Sequence, residues 1–209
     1  MKSLPNILTG LRLVLCLAMF AALLAIGSAR WPGAELALAR FAFAAYVIAA
    51  VTDFFDGFLA RRWNVVSTLG AILDPIADKV LVCGAILGLL AVAVLAPVPL
   101  PGLVITLAAS GGVILFREFA VSALREVLAP RGIKLPVTFL AKAKTTLQLV
   151  TLGGLMVIMF WPAWRIDATI PRLRSALATA EVLFAVAAVV TLWTGLEYGR
   201  AAWRALREA

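Results

Sequence analysis

Residues 51–78 read VTDFFDGFLARRWNVVSTLGAILDPIAD, and they hold four of the chain's five aspartates: Asp53, Asp56, Asp74 and Asp78. The sequence around them is apolar enough to enter a bilayer, where a carboxylate is costly unless it is paired, hydrated or bound to a cation. Spacings of three (Asp53, Asp56) and four (Asp74, Asp78) put each pair on one helix face, about 5–6 Å apart at Cβ. With one span descending to a turn near residues 62–68 and the next returning, Asp56 and Asp74 both sit about 9 Å deep. Asp53 and Asp78 then lie roughly one turn deeper. Two facing pairs at matched depth form a box of four carboxylates. Unneutralised, the box would repel itself and take up protons; one or two divalent ions remove that penalty. Oxygen ligands without His or thiolate favour Mg²⁺ or Mn²⁺ over zinc.

The rest of the chain suits that membrane reading. Of 209 residues, 64% are hydrophobic and only 14% charged, against roughly 25% charged in a soluble domain; the mean hydropathy is +1.04. Apolar runs long enough to span cover residues 7–26, 36–60, 70–96, 103–128, 139–160 and 176–199. The expected fold is all-α: one domain over residues 1–209, a bundle of six transmembrane helices around a cytoplasm-facing polar cavity. The first run reads as a helix rather than a cleaved leader, because no A-x-A site follows it. Lys2, Arg12, Arg61, Arg62, Arg125, Arg131, Lys134, Lys142, Lys144 and the arginines after residue 199 fall on one side of this topology. That side is the richer in basic residues, which makes both termini and the Arg61 loop cytoplasmic. The net charge of +8 therefore reports topology and anionic substrates, with no call for nucleic acid. The absence of histidine excludes His-based acid–base chemistry and histidine metal sites. Cys16 and Cys83 lie in apolar runs and read as buried thiols.

Gly57, Ala60 and Gly70 flank the aspartates. Small residues there let a ligand approach the backbone, or let helices pack closely. Arg61 fits a phosphate contact and equally a positive-inside signal. Arg117 is different: it sits well inside the fourth span, too deep to snorkel easily, and should face the polar cavity. Arg125, eight residues on, lies within about 80° of it around the helix. With Lys142 they make a basic pocket suited to a phosphorylated ligand, although Arg125, Lys142 and Lys144 also read as flank charge.

The pattern Asp53-x2-Asp56-Gly57-x2-Ala60-Arg61-x8-Gly70-x3-Asp74-x3-Asp78 resembles, at every position, the signature of the CDP-alcohol phosphotransferase family. The resemblance implies a homodimer of six-helix protomers that moves a phosphoryl-linked group from a CDP-activated donor to an alcohol. It implies that Asp53, Asp56 and Asp74 bind metal, and that Asp78 takes the acceptor's proton and also approaches the metal. It further implies that Asp53, Gly57, Ala60 and Gly70 line the CDP pocket and that Arg61 contacts the diphosphate. Further stretches are similar to the bacterial branch that joins CDP-diacylglycerol to sn-glycerol 3-phosphate in the inner membrane. They are Pro5-Asn-x-Leu-Thr-x2-Arg12, Arg117-Glu…Ser122-Ala-Leu-Arg-Glu126 and Lys142-Ala-Lys-Thr-Thr146. On that likeness Arg117, Arg125 and Lys142 hold the acceptor's phosphate. Serine or an inositol phosphate is the alternative acceptor. An ion-conducting protein would spread its acids over several helices, whereas here they sit on one pair.

Overall fold

In a computed structural model, six α-helices account for nearly all of the described residues. They are α1 (Leu4–Gly27), α2 (Glu35–Trp63), α3 (Thr68–Leu95), α4 (Pro101–Leu128), α5 (Phe139–Met159) and α6 (Ile170–Glu208), with 3₁₀ turns at Ala129–Arg131 and Trp161–Trp164. The structure describes the backbone of residues 4–28, 33–63, 68–131 and 139–208, and the side chains of 9–28, 33–52, 76, 77, 79–130 and 143–207. Among the described residues there is no strand.

Each helix coincides with one of the six apolar runs. Thr9–Gly27, Glu35–Thr52, Pro101–Leu128 and Ile170–Arg207 are long and apolar enough to cross a membrane, and Lys79–Leu95 and Ala143–Met159 are shorter apolar helices. The chain is an all-α polytopic membrane protein. Pro101 opens α4, where its missing N–H is an orphan in any case and its fixed φ is already helical. The sixth helix departs from the sequence expectation. It runs 39 residues, because hydropathy marks only the membrane-crossing middle while the polar ends, Arg172 and Arg174 before and Arg200 to Arg207 after, stay helical. It begins at Ile170, six residues before the apolar run at 176–199.

α1 packs on α2 and α3, α6 on α4 and α5, and α3 meets α4 to join the two groups. The buried core runs through both, from Met19, Leu23 and Ile86 to Ile114, Leu155 and Phe184. Glycines set the closest approaches. A Cβ at Gly88 would lie 2.6 Å from Leu23 of α1, and one at Gly111 would lie 2.5 Å from Ile86 of α3. Elsewhere polar side chains stitch helices together: Tyr46 donates its O–H to the Leu149 carbonyl at 2.7 Å, and Arg40 donates Nε–H to the Ala163 carbonyl at 2.7 Å. Large apolar side chains such as Val14, Ile105, Phe116, Val150 and Val189 are exposed, as a lipid-facing surface requires.

Candidate active site

The aspartates lie on the backbone positions that the sequence suggests. Asp53, Asp56, Gly57, Ala60 and Arg61 belong to the last part of α2, and Gly70, Asp74 and Asp78 to the first part of α3. These two helices are consecutive and touch. The side chains of these eight residues, and that of Lys142, lie outside the described residues. Among the described residues no group of three or more metal-ligating side chains occurs.

The neighbouring polar cluster is described in full. Arg117 of α4 is 6% exposed and Lys144 of α5 is 3% exposed, both deep in protein. Glu118 joins them: its Oε1 accepts from Arg117 Nη1 at 3.3 Å and from Lys144 Nζ. Cations at such depth persist only where charge and hydrogen bonds compensate their lost hydration. A face of α6 supplies further bonds. Arg117 Nη2 donates to Thr194 Oγ1 at 3.3 Å, Arg125 Nη2 donates to the Tyr198 hydroxyl at 3.1 Å, and Gln148 Nε2 donates to Thr191 Oγ1 at 2.7 Å. Thr191, Thr194, Gly195 and Tyr198 are spaced i, i+3, i+4 and i+7, one stripe of a helix. Gly195 belongs there because a Cβ would lie 2.7 Å from Arg117 Cγ. Both guanidiniums sit over the Tyr198 ring, with Cζ 5.4 Å from its centroid for Arg117 and 5.1 Å for Arg125.

Beside this cluster lies a cavity of about 140 Å³ whose wall includes Arg12, Lys79, Glu118, Thr145 and Gln148. Ala77 and Lys79, which flank Asp78 in sequence, also line it. The cavity thus connects the aspartate segment of α3 with the basic cluster on α4 and α5. Arg117 and Lys144 share the one Glu118 carboxylate and Arg125 joins Arg117 over the Tyr198 ring, so the cluster carries excess positive charge and suits an anion. Arg117 Nε is buried with no hydrogen-bond partner among the described residues.

Arg117 and Arg125 are together, as their spacing suggests. Lys144 is buried, which removes the flank-charge reading for it, and so is Arg12, at 2% exposure. Tyr198, Thr194 and Gln148 escaped the sequence reading. The only available signal was their helical spacing, which is shared by any packed face.

The sequence profile described as CDP-alcohol phosphatidyltransferase matches residues 2–194. Proteins named CDP-diacylglycerol–glycerol-3-phosphate 3-phosphatidyltransferase from Shigella flexneri serotype 5b (strain 8401) and Escherichia coli (strain K12) are 42% identical to the chain over 159 residues, 75% of this chain and 75% of each relative. A profile match over most of the chain, and relatives this similar, make this protein a member of the CDP-alcohol phosphatidyltransferase family.

Proposed function

We propose that the protein is a phosphatidylglycerophosphate synthase, which displaces CMP from CDP-diacylglycerol with the C1 hydroxyl of sn-glycerol 3-phosphate. The new bond joins that oxygen to the lipid-side phosphorus, the bond to CMP breaks, and the hydroxyl proton passes to Asp78. The observation that carries this reading is the cationic cluster of buried Arg117 and Lys144 with Arg125 at its edge, beside the cavity that the neighbours of Asp78 line. An alcohol without a phosphate gives three cations so placed nothing to neutralise. Support for the acceptor also comes from the relatives' name.

The four aspartates fit a hard divalent ion by their chemistry: oxygen donors in two pairs, on consecutive helices that touch. Asp53, Asp56, Asp74 and Asp78 would hold one or two Mg²⁺ or Mn²⁺, which when bound neutralise diphosphate charge and make CMP a better leaving group. Gly57, Ala60 and Gly70 would make room for the cytidine and Arg61 would contact the diphosphate. Arg117, Arg125 and Lys142, with Lys144 added, would orient the acceptor by its phosphate. A carboxylate is a weak base at its usual pKa near 4, and Asp78 would suffice for the task where the hydroxyl proton leaves late, as the bond to phosphorus forms.

The same reading has the whole chain act as one domain in a bacterial inner membrane, as a homodimer, with both termini and the site on the cytoplasmic side. Support for the sidedness is the excess of Lys and Arg on that side, and for the dimer the family likeness.

The deciding experiment gives purified protein CDP-diacylglycerol with glycerol 3-phosphate, glycerol, serine, inositol or inositol phosphate in turn, and measures CMP release. Glycerol 3-phosphate should be the efficient acceptor. Faster release with serine or an inositol phosphate would overturn the assignment.

A further inference from the structure

We propose that Tyr198 is the positioning residue that makes Arg117 and Arg125 act as one phosphate clamp; this rests on the functional reading above. Two guanidiniums drawn toward one dianion repel each other until it arrives. Arg117 is held independently, by Glu118 on one side and by Thr194, in the niche left by Gly195, on the other. Arg125 is exposed at the cluster's edge, and a long arginine side chain there has considerable rotamer freedom.

Tyr198 removes that freedom in two ways. Its hydroxyl accepts from Arg125 Nη2 at 3.1 Å, and its ring lies within cation–π range of both guanidiniums. The ring itself is fixed: Tyr198 is 4% exposed, packed within the α6 face. A single buried aromatic thereby draws two like charges together in the absence of substrate. The acceptor's phosphate meets a pair already gathered, and α6 acts on acceptor affinity without touching the reacting atoms.

This makes Tyr198 act through Arg125, so Y198L should resemble loss of Arg125. We expect Y198L to raise the KM for glycerol 3-phosphate about tenfold, and Y198F, which keeps the ring, about threefold. The kcat and the KM for CDP-diacylglycerol should stay within about twofold, because a specific anion-binding loss leaves donor binding untouched. In an R125A background Y198L should add little, since Arg125 is the group it orients.

Three results would overturn the proposal: an unchanged acceptor KM in Y198L, parallel rises in both KM values as from a general packing defect, or full additivity with R125A. If Y198L does not fold, Y198F decides. Removing the hydroxyl must then have no effect in R125A protein; an effect equal to that in the unsubstituted protein rejects the mechanism. Failure of the functional reading shows separately, as no CMP release by the unsubstituted enzyme with glycerol 3-phosphate. Inorganic phosphate then probes the clamp through its stabilisation of purified protein against heat. Y198L should need about ten times more phosphate for the same shift, and an unchanged requirement refutes the clamp.

Discussion

Arg117 shows how one residue at bilayer depth is made tolerable and then useful. Its charge is balanced by Glu118, one of its amino groups by Thr194, and its stem by the missing side chain of Gly195. Replacing it with alanine removes a charge-assisted contact to the acceptor, about 2 kcal/mol or roughly thirtyfold in the KM for glycerol 3-phosphate. Steady-state kinetics with each substrate varied will check that the donor KM is unaffected; a change confined to the donor KM would reject the assignment. Gly195→Ala tests the niche. Its Cβ would lie 2.7 Å from Arg117 Cγ, a buried stem with little freedom to retreat, whereas nothing lies within 4 Å of a Cβ at Gly199. G195A should therefore weaken acceptor binding and G199A should not, as acceptor titrations of both variants will read. Arg117 was legible in the sequence because an arginine so deep in an apolar run has few structural excuses. Tyr198 was not, because an aromatic residue on a membrane helix looks the same whether it faces lipid, packing or a guanidinium.

At the scale of the elements, the helices were legible and their neighbours were not. Hydropathy locates six apolar runs but carries no information on which helix faces which. The α4–α6 and α5–α6 contacts that build the basic cluster therefore had to come from the structure. Lys142 and Lys144 illustrate the gap. They are two residues apart, about 200° around α5, and no hydropathy argument selects the one whose ammonium meets Glu118. Where helices approach closely, glycine makes the difference. At Gly88 a leucine would collide with Leu23 of α1, while at Gly112 a Cβ meets nothing within 4 Å. Overpacking of this kind typically costs about 1–3 kcal/mol. Thermal unfolding in detergent should accordingly show G88L destabilised and G112L close to the unsubstituted protein. Equal midpoints for the two would mean that the α1–α3 approach is not glycine-limited.

For the whole molecule, the fold places its two chemistries on different parts of the bundle. α2 and α3 carry the aspartates, α4 and α5 carry the cations that would receive the acceptor, and α6 braces those cations. Chelation should abolish CMP release, and Mg²⁺ or Mn²⁺ should restore it. Turnover that persists in excess chelator would remove the metal from the scheme. The residues that decide this were legible as a pattern, since four acids at helical spacing in an apolar context admit few uses. What hydropathy could not give is the cavity that Ala77 and Lys79, on either side of Asp78, share with Glu118 of the basic cluster. That cavity, about 140 Å³, sets Arg12, Lys79 and Glu118 beside an apolar wall of Leu81, Val82 and Leu115, and has room for about five waters at roughly 30 Å³ each. Filling it with the acceptor's phosphate would release that water to the bulk. Lowering water activity with sucrose should therefore tighten the acceptor KM, and an acceptor KM that does not move would mean that the phosphate does not enter there. Capture of the acceptor would then respond to the hydration of the aqueous compartment.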